Sequence, residues 1–494
     1  MKDPIKTCLD LGLLTVSPKV CSQLIQRPEG RPQSVAVEFS SINIAKPMHM
    51  GHFRATVIGN FVRNINVAAG NNVVAINYLG DWGTQFGMLS LGFQKFGDHT
   101  LLDNDPLKHL HSVYVRACRT LGDSEPGKSD ASALATLLEH SKDPELLDLW
   151  QRFRSVSLAE LKKLYLRMNI QFDRYEFESQ FVKRAMDVVN RLIASRLAKR
   201  ESDGCVTASS HEAGKRVTLL KSDGGTLYLT RDLAAAISRS EDLKFDRIHY
   251  VVEDGQREHF LNLQNLLWRL GYTWAKPESS PWPLHVRFAR VLGASTRHGS
   301  GLFLSDVLDA AQREAFARMQ KSPYTRTLLY EQDDDGCGPS PSLPFCRFEE
   351  VSEEARRVAD QMGVTWLVTE MLAKPRLLPV KTSLTVRNEE LSLKSGSHPV
   401  ADQRDLTGLG LQYCHARLCS LEEKAVTAGL LSSSMDELEA SQTMFSALYS
   451  LPTSRASKVV EDELCAHLVT LPQMLTQAYV SYEAHYVFRY CQRL

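Results

Sequence analysis

The feature that most restricts the fold is a strand, loop, helix and strand packed into roughly the first 80 residues. Val35 to Ser40, Val-Ala-Val-Glu-Phe-Ser, read as a buried strand that ends in polar groups. The chain then turns through Pro47 into His49-Met50-Gly51-His52. From Gly51 to about Ala69 the apolar residues Phe53, Val57, Ile58, Phe61, Val62 and Ile65 recur at helical spacing, and Gly70 stops the run. A second strand from Val73 to Tyr78 completes a βαβ unit, which closes right-handed on a parallel sheet. Its first loop then lies at the carboxyl edge of the sheet, where open α/β sheets bind ligands.

A chain of 494 residues is too long for one ordinary domain. Residues 91–215 carry mainly helical patterns, including Leu147 to Leu166, and read as an insertion. The alternation resumes with a strand at Leu227 to Leu229, an Ala-rich helix from Asp232 and a strand at Ile248 to Val252. A helix then turns Phe260, Leu263, Leu266, Leu267 and Leu270 to one side. The expectation is an α/β protein with a split Rossmann-type sheet in two halves, 35–90 and 216–322, preceded by a short segment, 1–34. Residues 331–346 are acidic and then turn-rich, which marks 323–406 as linker and divergent segment. The tail, 407–494, is helical in pattern.

Composition narrows the function classes. Lysine plus arginine equals aspartate plus glutamate at 58 each, so no global positive field announces a nucleic-acid partner and any RNA contact must come from local patches. The ten cysteines form no Cys-x-x-Cys pair and no zinc-spaced His cluster, which predicts reduced thiols and no protein metal site. No stretch reaches the roughly 18 apolar residues of a spanning helix, so no membrane partner is expected. Met1-Lys2-Asp3-Pro4 carries an early acid and a proline where an organelle presequence is arginine-rich, so the visible start gives no address.

His49-Met50-Gly51-His52 opens a helix, where backbone N–H groups attract phosphate, glycine permits close approach and imidazoles can donate hydrogen bonds. Taken alone, two histidines at a helix start also serve as caps or lie exposed. Context changes that weighting, because Tyr78-Leu79-Gly80-Asp81-Trp82-Gly83-Thr84-Gln85-Phe86-Gly87 follows. The chain here resembles the class I aminoacyl-tRNA synthetases. Glu38-Phe39-Ser40-Ser41-x-Asn43-x-x-Lys46-x-x-His49-x-Gly51-His52-x-Arg54 is similar to the arginyl enzymes in particular. Ser222-Asp223-Gly224-Gly225-Thr226-Leu227-Tyr228-Leu229-Thr230-Arg231-Asp232 is a second match, and Gln256 stands at the family's spacing after Asp232.

A guanidinium is planar and permanently charged, so a pocket specific for it needs carboxylates that accept its forked N–H groups. Glu38 and Asp232 are the candidates, with Tyr228, one helical turn before Asp232, as hydroxyl acceptor and wall. Each also has a bland role: a strand end, a helix cap, a core tyrosine. By resemblance the arginine site comprises Glu38, Phe39, Ser40, Asn43, His49, Tyr228, Asp232 and Gln256. The same resemblance gives His49, His52 and Lys46 the catalytic roles and His49, Gly51, His52 and Arg297 the contacts with ATP. It implies an arginine-tRNA ligase that takes ATP with Mg2+ and L-arginine, forms arginyl-adenylate by in-line attack on the α-phosphorus, and charges tRNA(Arg). Such chemistry is mostly positioning and charge stabilisation.

Three departures stand beside the resemblance. Gly293-Ala294-Ser295-Thr296-Arg297-His298-Gly299 replaces the second, lysine-bearing ATP loop, leaving Lys46 or Arg297 as substitute charges. Only about 34 residues precede the first strand, where the family has a further tRNA-contacting domain. Lys374-Pro375-Arg376-Leu377-Leu378-Pro379-Val380-Lys381 stands where a Phe-x-Trp-Asp sequence is expected, before Thr407-Gly408-Leu409-Gly410 resumes the likeness and opens a shortened helical anticodon-binding domain, 407–494. The resemblance favours the animal mitochondrial form, hence the mitochondrial matrix, with the cytoplasm as alternative, and a monomer. Two other readings remain: a noncatalytic RNA-binding or regulatory relative that keeps the fold, and another nucleotidyltransferase of the His-x-Gly-His superfamily.

Overall fold

The computed structural model describes residues 18–44, 46–121, 129–131, 133–134, 143–277, 281–292, 303–321, 347–348, 351–382, 384–387, 390–393, 408–429 and 463–493. The first half of the chain runs α1 (Pro18–Leu24), β1 (Ser34–Glu38), α2 (Met50–Ala68), β2 (Asn72–Leu79), α3 (Thr84–Phe96), α4 (His99–Asn104), α5 (Pro106–Leu121), α6 (Pro144–Arg167), β3 (Arg174–Phe177) and α7 (Val182–Ala194). It continues through β4 (Ala198–Arg200), β5 (Val206–Ser209), β6 (Arg216–Leu220), α8 (Tyr228–Leu243), β7 (Arg247–Glu253), α9 (Arg257–Arg269), β8 (His285–Phe288) and β9 (Val291–Leu292). The last part adds α10 (Leu304–Lys321), α11 (Glu353–Leu372), β10 (Val380–Lys381), α12 (Gly408–Thr427), α13 (Leu471–Ser481) and α14 (His485–Cys491).

Five parallel strands form the central sheet in the order β3-β2-β1-β7-β8. Val35, Ala36 and Val37 of β1 are buried on both faces, as expected of a parallel strand covered by helices. In register, Glu38 ends β1 between Ile76 of β2 and Tyr250 of β7. The strand order reverses between β1 and β7, so the loops after these two strands leave in opposite directions and open a crevice at their carboxyl ends. Helix α2 covers the sheet with Phe53, Val57, Ile58, Val62 and Ile65. Each such side chain contributes roughly 1.5–3 kcal/mol on burial.

The α/β class and the βαβ start agree with the sequence reading; several boundaries do not. Leu227–Leu229 is no strand: Leu227 is an extended N-cap and Tyr228 begins α8, because the Leu220–Thr226 bridge already ends the extended run. The span 91–215 is not a wholly separate helical insertion, since β3 pairs with β2 in the main sheet. Nor does it end at 215, because β4, β5 and β6 form one antiparallel sheet across that boundary.

The span 323–406 holds more than linker. Helix α11 packs along α10 so closely that a Cβ on Gly363 would lie 2.7 Å from the Ala311 backbone. Residues 374–381 are fastened to the sheet domain: β10 pairs with β9, and the buried Arg54 of α2 donates to the carbonyls of Ala289 at 2.6 Å, Arg376 at 3.1 Å and Leu378 at 2.8 Å. The acidic, turn-rich stretch 331–346 lies outside the described residues. Finally, 407–494 does not stand apart as a whole. Tyr479 and Tyr482 of the α13 segment are buried against the sheet domain, where Asn71 donates to Tyr479 Oη at 2.9 Å, Asn66 to Tyr482 Oη at 3.1 Å, and Trp282 Nε1 to the Tyr479 carbonyl at 3.0 Å.

Candidate active site at the sheet's switch point

The chain leaves β1 through two consecutive serines in the left-handed region, Ser40 at φ 75° and Ser41 at φ 45°. Non-glycine residues pay strain there, so neighbouring contacts must hold them. Ser40 Oγ lies 2.7 Å from Tyr165 Oη, and Ser41 Oγ donates to Glu38 Oε1 at 3.0 Å. This kink turns the Ser40 side chain into the protein and carries the following loop across the sheet edge. Phe39 is also buried, its ring 4.5 Å from that of Phe172. The structure therefore separates Phe39 and Ser40, as side chains, from the candidate residues that face the crevice. Asn43 crosses to Gly80 in a parallel bridge and donates to Gln85 Oε1 at 3.2 Å. Gly80 has no room for a side chain, since a Cβ would sit 2.0 Å from Asn43 Oδ1.

One wall of the crevice is charged. Glu38 is 4% exposed, and its Oε2 accepts from Arg239 Nη1, whose Nε donates to Glu176 Oε2 at 2.7 Å. Burial pushes the Glu38 carboxyl up from its usual range; Arg239 opposes this and Asp232 adds to it. Asp232, one turn into α8, is about one-fifth exposed (21%) and meets His259 Nε2 at 2.6 Å. Burial works against charge on His259, but the hydrogen bond and charge of Asp232, with Glu38 beyond it, raise that imidazole above its ordinary value. Tyr228 opens α8, half exposed, with the Arg231 guanidinium 4.8 Å from its ring. Arg231 in turn reaches Glu178 at 3.4 Å, a carboxyl that burial raises to about 8. Gln256 lies exposed at the N-cap of α9, on the loop that follows β7.

The other wall is the start of α2, where two histidines cap each other. His49 Nδ1 accepts from the Gly51 N–H at 3.1 Å, and His52 Nδ1 lies 3.4 Å from the His49 N–H. Their rings stack with centroids 3.9 Å apart. Because Nδ1 of each ring faces a backbone donor, the proton of each neutral ring sits on Nε2. Burial lowers His52 to about 3, helped by the charges of His49 and Lys46. Desolvation of its inner face also lowers the exposed His49, with Glu253 opposing and Lys46 assisting. The capping reading and the functional one are thus compatible: the caps consume Nδ1 and leave two Nε2–H donors beside the orphan N–H groups of the helix start.

Among the described residues Lys46 has no ion-pair partner, and it stands half-buried on the loop into α2. Arg297 and the loop 293–299 lie outside the described residues. Sequence reasoning missed Arg239 and His259, the side chains that hold Glu38 and Asp232. A weak signal existed: Arg239 stands seven positions after Asp232, on the same helical face, and His259 lies one turn after Gln256. The ligand atoms of His211 and Glu212, between β5 and β6, and of Glu258 in α9 lie within 4.8 Å of one another, yet Glu212 is already paired with Lys215.

Comparison with known proteins gives this geometry a family. The model described as "tRNA synthetases class I (R), catalytic domain" matches residues 18–334. The Mus musculus "Probable arginine--tRNA ligase, mitochondrial" is 36% identical over 392 residues, 79% of this chain and 60% of that protein. The Dictyostelium discoideum "Probable arginine--tRNA ligase, cytoplasmic" is 34% identical over 422 residues, 80% of this chain and 64% of that protein. The chain thus spans about 60% of the length of such curated relatives. The solved arginyl-tRNA synthetase of Plasmodium falciparum shares the fold, with a TM-score of 0.65 and 21% identity over 96% of this chain and 74% of that one. No described helix is long and apolar enough to cross a membrane. With the family model covering well over half of its length, from α1 past α10, the chain belongs to the class I arginyl-tRNA synthetases.

Proposed function

We propose that this chain is an arginine-tRNA ligase, which joins L-arginine to ATP as arginyl-adenylate and then transfers arginine to the terminal ribose of tRNA(Arg). The observation that carries the reading is that two unlike groups stand at the carboxyl edge of one parallel sheet: the carboxylates Glu38 and Asp232, and the capped His49-His52 helix start reached by the loop after β1. Glu38 and Asp232, with the Tyr228 hydroxyl, accept the forked N–H groups of the substrate guanidinium. Asn43, Gln256 and the backbone at Phe39 and Ser40 hold its amino-acid end. The arginine carboxylate then attacks the α-phosphorus in line, forming the acyl-phosphate bond as the bond to the pyrophosphate oxygen breaks.

In this scheme no side chain is a nucleophile. His49 and His52 donate Nε2–H to phosphate oxygens as charge builds on the leaving pyrophosphate, Gly51 permits close approach, and Lys46 supplies a positive charge. Arg297 is proposed as a further ATP contact. Mg2+ enters with ATP as part of the substrate. The 407–494 segment is the proposed site of anticodon contact, and a monomer is the proposed state. The name of the mouse relative supports a place in the mitochondrial matrix and that of the Dictyostelium relative favours the cytoplasm, a choice that imaging of the tagged protein settles.

The test is arginine-dependent exchange of pyrophosphate into ATP by the purified chain, with and without tRNA(Arg), and with lysine as control. Exchange with arginine in the presence of tRNA, and none with lysine, is expected. A folded protein that exchanges under no condition contradicts the reading and favours a noncatalytic relative.

A further inference from the structure

Arg239 has no place in the reaction scheme above, yet it is one of the most thoroughly buried charges in the protein, 2% exposed. It stands on the face of α8 that carries Asp232, two turns further along, with the buried Ala235 and Ala236 between them. Two of its three guanidinium nitrogens are hydrogen-bonded to carboxylates, and the buried Nη2 has no hydrogen-bond partner among the described residues. Nη1 bonds Glu38, Nε bonds Glu176 at 2.7 Å, and the rings of Tyr78 and Tyr250 lie 4.9 Å and 5.9 Å away. Glu38 in turn uses one oxygen for Arg239 and the other for the Ser41 hydroxyl at 3.0 Å. A carboxylate oxygen has room for two donors, so each keeps acceptor capacity toward the crevice.

The ionisation of Glu38 decides what that capacity recognises. Burial and the neighbouring Asp232 both favour the protonated acid. A protonated Glu38 presents an O–H donor, which faces the N–H donors of a guanidinium unproductively but suits the C=O of a urea. An ionised Glu38 does the reverse. A guanidinium cannot be deprotonated in a protein, so Arg239 is a permanent counter-charge where a lysine's charge is adjustable.

We propose that Arg239 is a positioning residue that keeps Glu38 ionised and aimed at the crevice, so that the site selects the guanidinium of arginine over neutral isosteres such as citrulline. This rests on the arginine reading of the site.

The experiment uses the full chain, its Arg239→Met and Arg239→Lys variants, and two readouts. The first is carbon-13 NMR of protein labelled at the glutamate carboxyl carbon, with the Glu38 signal assigned through Glu38→Gln, followed from mildly acidic to mildly alkaline pH. The unaltered protein should show Glu38 ionised throughout, Arg239→Met should show it titrating within the range, and Arg239→Lys should restore the ionised signal. The second readout is the pH profile of KM and kcat for arginine-dependent exchange, with citrulline as competitor. In Arg239→Met the arginine KM should rise about tenfold for each pH unit below the new Glu38 titration and recover above it, with kcat changing less. Discrimination against citrulline should fall with it. A Glu38 that stays ionised in Arg239→Met overturns the proposal, as does a KM raised equally at every pH while kcat falls in parallel. Should Arg239→Met fail to fold, the double variant with Glu176→Gln removes the second stranded carboxylate and is read in the same way. Absence of arginine activation in the unaltered protein would sink the ligase reading, while the NMR titration would still decide the role of Arg239.

Discussion

Glu38 and His52 lie on consecutive elements, the end of β1 and the start of α2, and the protein treats their charges in opposite ways. At Glu38 charge is retained against burial by a fixed guanidinium, and beside Asp232 a histidine is drawn toward its protonated form. At His52 and His49 charge is removed: burial and Lys46 hold both rings below their ordinary value, and the caps commit each Nδ1. The difference matches the two ligands proposed. A cation with forked donors is met by acceptors whose charge is already compensated, whereas a polyanion is met by neutral donors and helix N–H groups, with loop cations nearby. The most deeply buried charges of the acidic wall, Glu38 and Arg239, are paired with each other, and stranding either one would cost several kcal/mol.

The largest break in this contrast should come from Asp232→Asn, which keeps the shape of the acceptor and removes its charge. Arginine-dependent exchange is expected to fall about a thousandfold in kcat/KM, because a buried guanidinium loses its paired charge. Steady-state kinetics with each substrate varied in turn would show the ATP KM little changed. Unaltered arginine kinetics would move the pocket away from α8.

His52→Asn is the counterpart on the other wall. The shorter side chain keeps an acceptor for the His49 N–H and withdraws the Nε2–H donor, so kcat should drop by about a hundredfold while the arginine KM holds. Tyr228→Phe should have a smaller effect, about three- to tenfold in arginine KM, since it removes one half-exposed hydroxyl and leaves the ring. An ATP effect of similar size in that variant would blur the division between the walls.

The smallest expected effect is on stability in acid. His52 has an ordinary value of 6.5 and is lowered to about 3 in the fold, so the unfolded chain takes up its proton first as pH falls. Stability from this group is present above pH 6.5 and is lost progressively as pH drops from 6.5 toward 3. The denaturation midpoint, followed over that range, should slope less steeply in His52→Asn than in the unaltered protein. Identical slopes would mean that His52 is not held neutral.

Much of this site was legible because its parts are local. The strand expected at 35–40 is β1 at 34–38, and the helix expected from Gly51 is α2 from Met50, since periodicity of two and of 3.6 residues needs only neighbouring residues. Asp232 falls in the expected Ala-rich helix for the same reason, whereas the structure starts that helix a turn earlier, at Tyr228. What escaped the sequence is long-range. Glu38 and Arg239 are 201 positions apart, and nothing local marks an arginine in an Ala-rich helix as the partner of a strand-end glutamate. The docking of Tyr482 onto Asn66 spans 416 positions, which is why the tail read as a domain apart. Leu227–Leu229 misled for a different reason: three alternating residues fit a strand, and only the bridge at Thr226 shows that the extended run has already ended.

The central claim is that the two walls serve two different ligands, and crossed KM values test it most directly. Arginine and ATP would each be varied in the pyrophosphate exchange reaction with the unaltered protein, Asp232→Asn and His52→Asn, all in the presence of tRNA(Arg). The account predicts a crossed pattern, in which Asp232→Asn raises the arginine KM and spares ATP, while His52→Asn impairs the use of ATP and spares the arginine KM. If both variants raised the KM of the same substrate, or if each raised both equally, the division of the crevice into a cation wall and a phosphate wall would be wrong.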